Sequence, residues 1–202
     1  MPTLWLAAAA LFLATMAANV LWVLSSTLLQ LSVPDAYQGA PTPVAAFMGS
    51  AVKLAGFVLA MRIFWGIFLP LADQWTPILL WLAIITAFAG NLAALVQENL
   101  KRLFAYSSIA HAVYLLLGLC SIGRHGPVPD FLLFYLFVYG LMFMGAFSIL
   151  CLIEKGARDL EMHHLSGMGF THPFLGGALA VFALSSAGIP PTAGFFAKYI
   201  LF

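Results

Sequence analysis

Long runs of this 202-residue chain contain no charged side chain, and they constrain the fold more than any other feature of the sequence. Three of them cover residues 1–34, 74–97 and 131–153. Each run is long enough to cross the hydrocarbon core of a bilayer, about 30 Å thick, as an α-helix. Only 7% of all residues are charged and 63% are hydrophobic, whereas charged residues make up about a quarter of soluble domains. The sequence therefore predicts an integral membrane protein.

Prolines and charged residues separate six predicted transmembrane helices, which we expect to form one transmembrane domain over residues 1–202. The helices are placed at 4–31, 43–69, 75–97, 100–121, 130–153 and 173–202. No alternating strand pattern competes with them, and open sheet edges are not stable in lipid. The first run lacks the basic flank and cleavage pattern of a signal peptide, so we expect it to remain as a span. The predicted fold class is an all-α polytopic membrane protein.

The last predicted helix contains a break. Its segment SSAGIPPTAGFFAKY, residues 185–199, places Gly188, Pro190 and Pro191 within four positions, and these residues do not sustain a continuous helix. A break at membrane depth is stable where the freed backbone is buried in protein or lines a cavity, as in the ion sites of transporters. A simple proline kink is the alternative interpretation. We place the break at Gly188 to Pro191.

Lys53 lies about ten residues after Pro43 in an apolar run, so it is predicted near the bilayer centre. Charged side chains at this depth usually face a wet interior and take part in ion movement or pairing. Gly49, Gly56 and Ala60 share nearly the same helical face, where small residues leave room for close helix packing or water. The alternative is that the Lys53 side chain extends to the membrane interface. We expect Lys53 to carry protons.

Two other ionisable residues are predicted within the membrane. His111 lies near mid-membrane, with Ser107 and Tyr114 on its helical face, and its ordinary pKa near neutrality suits proton transfer. A buried structural histidine is the alternative. Lys198 follows the break and lies inside the bilayer if the break is deep, where it meets water or an exposed helix end. In an unbroken helix Lys198 is a surface anchor instead. Together with Lys53, these residues are the candidate proton-relay site.

Charged residues outside the spans predict the orientation. Basic residues cluster at one membrane face, predicted to be the cytoplasmic or matrix side, and comprise Lys101, Arg102, Lys155 and Arg158. Glu98, Lys101 and Arg102 are interpreted as interfacial anchors and helix caps. His163, His164 and His172 are interpreted as residues of the loop after the fifth helix.

Cofactor and nucleic-acid sites are not expected in this chain. Cys120 and Cys151 are predicted at opposite membrane faces, so they should not form a disulfide. No haem, iron–sulfur or zinc spacing is present, which predicts no redox centre and no metal site. The 8 basic and 7 acidic residues nearly balance, so no polybasic surface indicates a nucleic-acid partner.

Four segments resemble a known family. They are PDAYQGAPTPV at 34–44, NLKRLFAYSSIAH at 99–111, YLFVYGLMFMGAF at 135–147 and SSAGIPPTAGFFAKY at 185–199. They are similar to the antiporter-like subunit 2 (subunit N) of respiratory complex I, the NADH:quinone oxidoreductase. A subunit of a multisubunit sodium/proton antiporter or of a membrane-bound hydrogenase is the alternative within the superfamily. The resemblance implies a fourteen-helix fold of two inverted five-helix repeats, of which this chain matches roughly helices seven to twelve.

The resemblance also implies roles for the three candidate residues. Lys53 matches the central lysine of the family's eighth helix, Lys198 the lysine at the broken twelfth helix, and His111 the histidine of the YSSIAH run. One position departs from the family, because Val23 stands where a lysine is usual in the seventh helix. This departure favours a rival reading as an assembly scaffold that no longer pumps protons. A small independent transporter is a third reading, although no second half of an inverted repeat is visible.

The implied function is proton translocation through buried Lys and His residues and water, coupled to redox chemistry in other subunits. NADH, FMN, iron–sulfur clusters and quinone are then expected in those other subunits. The implied partners are lipids and other membrane subunits of complex I, including a chain that supplies the remaining helices. The implied location is the mitochondrial inner membrane, with a bacterial plasma membrane as the alternative.

Overall fold

A computed structural model describes residues 33–125, 130–154 and 160–201, with only the backbone for residues 122–125. Within these ranges all regular elements are helices, and we number the α-helices in chain order. They are α1 Val33–Gly39, α2 Thr42–Gly66, α3 Ala72–Leu95, α4 Leu100–His125, α5 Asp130–Ile153, α6 Met168–Thr171, α7 Pro173–Ala187 and α8 Ala193–Leu201. The predicted helix at 4–31, Val23, Lys155 and Arg158 lie outside the described residues.

Four helices of the described residues are long and apolar enough to cross a membrane. They are α2, α3 with its preceding turn from Leu69, α4 over Leu100–Ser121, and α5. These helices confirm the second to fifth predicted spans to within a few residues. The chain is thus an all-α, membrane-spanning protein in the part that the structure describes.

Helix α5 lies at the centre of the packing, because its side chains Tyr135, Phe147 and Leu150 are at most 1% exposed. Helices α3 and α4 are antiparallel neighbours. Gly90 of α3 permits this approach, since a Cβ there would lie 3.0 Å from the Ile109 side chain of α4. The outer face of α3 carries exposed apolar side chains that are suited to lipid or to another apolar helix, namely Ile78, Trp81, Phe88 and Leu95.

Helix α2 contains a π-helical stretch, Met48–Val52, directly before Lys53. Such stretches widen a helix by one residue in a turn and often occur at functional sites. Within this stretch the Gly49 carbonyl accepts a hydrogen bond of 3.0 Å from the Tyr139 hydroxyl of α5. A Cβ at Gly49 would overlap the Phe143 ring and lie 2.8 Å from the Tyr37 hydroxyl oxygen. Glycine therefore allows α2 to pack directly against α5 and α1.

Replacing Gly49 with alanine is expected to lower the free energy of unfolding by about 1–3 kcal/mol, because the added methyl group displaces the Phe143 ring. Gly66→Ala is the matched control on the same helix, since no atom lies within 4 Å of a Cβ at Gly66. The midpoint of thermal unfolding of the purified protein in detergent measures both variants. Equal midpoints for the two variants would contradict the close packing at Gly49.

A buried charged group joins α1, α2, α4 and the end of α5. The Lys101 ammonium lies 2.6 Å from Glu154 Oε1 and 3.3 Å from the Ala40 carbonyl oxygen. The Thr42 hydroxyl donates a hydrogen bond to the other carboxylate oxygen of Glu154. The interpretation of Lys101 as an interfacial anchor is wrong, because its side chain is only 2% exposed and its ammonium is paired with Glu154. We call Lys101, Glu154 and Thr42 the Glu154 cluster.

Electrostatics at the Glu154 cluster favour the ionised carboxylate. Burial acts to raise the pKa of Glu154, but hydrogen bonds from Lys101 and Thr42 outweigh burial and hold this pKa below its usual range. Beside the cluster, the Asn99 side chain accepts hydrogen bonds from the backbone N–H groups of Lys101 and Arg102 and caps α4. The expected helix cap at this turn is therefore provided by Asn99.

The predicted break in the last span is confirmed as a complete interruption between α7 and α8. Gly188 adopts a left-handed conformation with φ of 83°, which a residue with a Cβ rarely adopts. Its N–H group bonds to the carbonyls of Leu184 and Ser185, and this closes the end of α7. The Ser185 hydroxyl then accepts a 3.0 Å hydrogen bond from the Gly194 N–H at the start of α8. Ser185 thus joins the two half-helices.

The three histidines predicted in a loop all precede α7. His163 and His164 lie in a single 3₁₀ turn, Met162–Leu165, with their rings stacked 4.1 Å apart, and His172 separates α6 from α7. The 3₁₀ turn refines the prediction of a plain loop. Cys120 and Cys151 are free thiols.

Candidate functional site

The Lys53 ammonium contacts α4. Its Nζ donates one hydrogen bond of 2.8 Å to the Ser108 hydroxyl and one of 3.0 Å to the Ser108 carbonyl oxygen. Among the described residues, no carboxylate forms an ion pair with Lys53. The charge at this site is therefore held by uncharged oxygen atoms, which leaves it free of the strong pairing that fixes Lys101.

Ser108 gathers several polar groups in an apolar region of α4. Its side chain is fully buried, and its hydroxyl donates a 2.6 Å hydrogen bond to the Ala105 carbonyl oxygen. The hydroxyl groups of Tyr37 and Tyr139 also interact with the Ser108 side chain. The Lys53 ammonium and the Ser108 hydroxyl are thus in direct contact, and the Tyr37 and Tyr139 hydroxyl groups lie near them, with that of Tyr139 donating to the Gly49 carbonyl.

His111 lies one helical turn after Ser108 and is held by a tyrosine. Its Nδ1 lies 2.6 Å from the Tyr135 hydroxyl oxygen, and both side chains are buried. The Tyr139 ring lies 5.2 Å from the imidazole ring, between centroids, and the Tyr114 ring lies 6.0 Å away. Since Nδ1 is occupied by Tyr135, Nε2 is the imidazole nitrogen available to other groups.

His111 and Lys198 line the same cavity. This cavity has a volume of about 410 Å³ and lies between α3, α4, α7 and α8. Its polar lining residues are Asn91, Ser107, His111, Tyr114, Ser186 and Lys198. A water molecule occupies about 30 Å³ in the liquid, so the cavity is large enough for several. A second cavity of about 10 Å³, at the lower limit for one water, has a mostly apolar lining, in which Phe143 and Phe182 accompany His111 and Tyr139.

Lys198 connects the two half-helices across the break. Its Nζ donates hydrogen bonds of 2.8 and 3.2 Å to the carbonyl oxygens of Ser186 and Ala187 at the end of α7. The same atom lies 4.8 Å from the centroid of the Tyr114 ring. A cation is favoured at this position by the partial negative charge of a helix C-terminus and by the aromatic face.

The structure therefore brings the three sequence-predicted residues into two adjoining groups. His111 and Lys198 share a cavity, whereas Lys53 is not part of its lining and lies beside Ser108. Sequence reasoning missed Ser108, Tyr135 and Tyr139. The paired serines at 107 and 108 were a visible signal, but helical spacing from His111 selected Ser107.

The described residues contain no group of three His, Cys, Asp or Glu side chains that is suited to a metal ion. The site itself contains ammonium, imidazole and hydroxyl groups, all of which exchange protons.

Comparison with known proteins identifies relatives over nearly the whole chain. A family model described as "NADH:quinone oxidoreductase/Mrp antiporter, TM" matches residues 2–202. The chain is 44% identical over 199 residues to NADH-quinone oxidoreductase subunit N 1 of Koribacter versatilis, covering 96% of this chain and 39% of the relative. It is 46% identical over 173 residues to subunit N of Bdellovibrio bacteriovorus, covering 84% of this chain and 36% of that protein.

A solved structure has a similar fold. It is that of respiratory complex I from Thermus thermophilus with bound aureothin, in which one chain matches with a TM-score of 0.70 and 40% sequence identity. The match covers 83% of this chain and 36% of that chain. The present chain thus spans less than two fifths of the length of these relatives.

Proposed function

We propose, from the premise that this chain belongs to the NADH:quinone oxidoreductase/Mrp antiporter transmembrane family, that it is a proton-translocating membrane subunit of an NADH:quinone oxidoreductase. The similarity to subunit N proteins supports this assignment within the family. One observation carries the proton-transfer part of the proposal. Lys53 contacts the Ser108 hydroxyl group, and His111, one helical turn after Ser108, shares a polar cavity with Lys198.

In the proposed pathway a proton passes from Lys53 to His111 and then to Lys198. Nε2 of His111 takes up the proton while Tyr135 holds the ring through Nδ1. Water in the 410 Å³ cavity then carries the proton towards Lys198. The charged ammonium of Lys198 donates hydrogen bonds to the last two carbonyl oxygens of α7. A neutral amine has fewer N–H groups to donate and no charge to stabilise the helix end. The charge on Lys198 therefore affects how firmly α8 is held to α7.

The proposal includes partners and location. We propose residues 1–202 as one transmembrane domain within a larger assembly, in contact with lipids and with other membrane subunits. NADH oxidation and quinone reduction take place in other subunits, so this chain contributes no redox cofactor. The reported relatives come from bacteria, which supports a bacterial plasma membrane over the mitochondrial inner membrane.

Replacing Lys198 with methionine tests the pathway near its end. We expect proton translocation driven by NADH oxidation to fall at least about tenfold in vesicles that contain the assembled complex, because the proton-carrying group is lost. Tyr199→Phe is the matched control at the adjacent, 73% exposed position, and it should behave like the wild type.

An unchanged translocation rate in Lys198→Met at equal assembly would instead favour an assembly scaffold. Sodium-dependent proton exchange in vesicles without NADH would favour the alternative of a sodium/proton antiporter subunit. Neither result is expected from the proposed function.

A further inference from the structure

We propose that the Ser108 hydroxyl is a proton-transferring residue that links Lys53 to the His111 region. This inference rests on the proposed function and extends it by one residue. Ser108 is contacted directly by the proton-carrying atom, Lys53 Nζ, at 2.8 Å.

The contacts of Lys53 leave few routes for its proton. Among the described residues, the acceptors of Lys53 Nζ are the hydroxyl and the carbonyl oxygen of Ser108. A backbone carbonyl accepts a hydrogen bond but has no proton of its own to pass on. The hydroxyl both accepts and donates, so it is the contact through which a proton can continue.

Tyr139 is the next group along this route. Its hydroxyl interacts with Ser108, and its side chain lines the 10 Å³ cavity together with His111. In the structure the Ser108 hydroxyl donates to the Ala105 carbonyl and the Tyr139 hydroxyl to the Gly49 carbonyl, so both hydroxyl groups first turn about their C–O bonds. A proton then leaves Lys53 Nζ for Ser108 Oγ, the Ser108 proton moves to the Tyr139 hydroxyl oxygen, and the Tyr139 proton moves to a water molecule beside His111. Three N–H or O–H bonds break and three form. Both hydroxyl groups end neutral, and they regain their first orientation by rotation about their C–O bonds.

Ser108 has a structural counterpart on the same helix. Ser121 Oγ donates a 2.7 Å hydrogen bond to the carbonyl oxygen three residues earlier, Gly118, just as Ser108 does to Ala105. Only Ser108 has the additional contact with Lys53. Replacing either serine with alanine removes the same local hydrogen bond, but only Ser108→Ala also removes the contact with Lys53. Comparing the two variants therefore separates these two effects.

The test uses the assembled complex in vesicles and measures proton translocation driven by NADH oxidation. We expect Ser108→Ala to reduce translocation about tenfold, since a charge-assisted contact of the proton donor is lost. Ser108→Thr, which keeps a hydroxyl group, should restore most of the rate, and Ser121→Ala should match the wild type. If the extra methyl group of threonine prevents assembly, Ser108→Cys replaces it, because a thiol of similar size also exchanges protons.

The pH dependence distinguishes proton transfer from a packing role. A packing defect lowers the rate equally at all pH values, whereas loss of the proton acceptor displaces the pH profile relative to the wild type and to Ser121→Ala. An undisplaced profile, a rate equal to that of Ser121→Ala, or equal defects in Ser108→Ala and Ser108→Thr at equal assembly would each overturn the inference. In all three cases a defect in Lys53→Met would leave the proposed function standing. Normal translocation in Lys53→Met would overturn both.

Discussion

Replacing Lys53 with methionine is expected to reduce proton translocation about 100-fold while the complex still assembles. Methionine has a similar length and is apolar, so it fills the same space between α2 and α4. It has no proton to transfer, and the Ser108 oxygens lose their only ammonium contact among the described residues. The rate of proton uptake or release by sealed vesicles, normalised to NADH oxidation and to the amount of assembled subunit, measures the effect.

Two further variants separate the possible causes. Lys53→Arg keeps the positive charge but does not release its proton, so it should also be impaired if proton transfer is the essential property. Arg62→Met removes an exposed cation from the same helix and should leave translocation unchanged. Wild-type translocation by Lys53→Met at equal assembly would refute the pumping role and leave the scaffold as the better explanation.

Replacing Glu154 with glutamine is expected to lower the free energy of unfolding by about 3–5 kcal/mol. The substitution leaves Lys101, which is 2% exposed, as a buried ammonium without its counter-charge. Asp35→Asn is the matched control, because it breaks the ion pair between Asp35 and the adjacent Arg102, whose side chains are 65% and 31% exposed, respectively. Exposed pairs of this kind contribute at most about 1 kcal/mol. Thermal unfolding of the solubilised protein measures both variants.

A second substitution shows whether the unpaired charge is the cause. Lys101→Met in the Glu154→Gln background removes the buried cation, so it should recover a large part of the lost stability. If the double variant is no more stable than Glu154→Gln alone, the loss has another origin.

The same cluster predicts a dependence on acid. The folded-state pKa of Glu154 is held below its usual range, so the carboxylate stabilises the folded protein at pH values above the ordinary carboxyl range. This contribution is lost as the pH falls below about 4 and the carboxylate is protonated. The Glu154→Gln variant should therefore lose less stability than the wild type over this acidic range.

The spans were predictable because their limits are set by local chemistry. Helix α5 was expected at 130–153 and is observed at Asp130–Ile153, since charged residues border an apolar run on both sides. The interruption between α7 and α8 was predictable for a similar reason, because Gly188 and the two following prolines act on the backbone where they stand.

The partners of the buried polar groups were not predictable, because they depend on how each helix is rotated about its axis. Lys101 and Glu154 are 53 residues apart, and nothing in the sequence near Lys101 indicates that a carboxylate meets it. The sequence likewise predicted Lys53 within an apolar helix without showing which residue of α4 it contacts. Only the packing of α2 on α4 distinguishes Ser108 from Ser107.

The π-helical stretch Met48–Val52 has a consequence for the direction of the lysine that follows it. One extra residue in a turn rotates every later side chain by about 100° relative to an uninterrupted α-helix. A helical wheel drawn through α2 with a constant period therefore assigns Lys53 to the wrong side. The direction in which the Lys53 side chain leaves the helix axis is therefore set by the π-helical stretch. Deleting one residue there would turn the ammonium away from Ser108, although no residue that contacts the ammonium is changed.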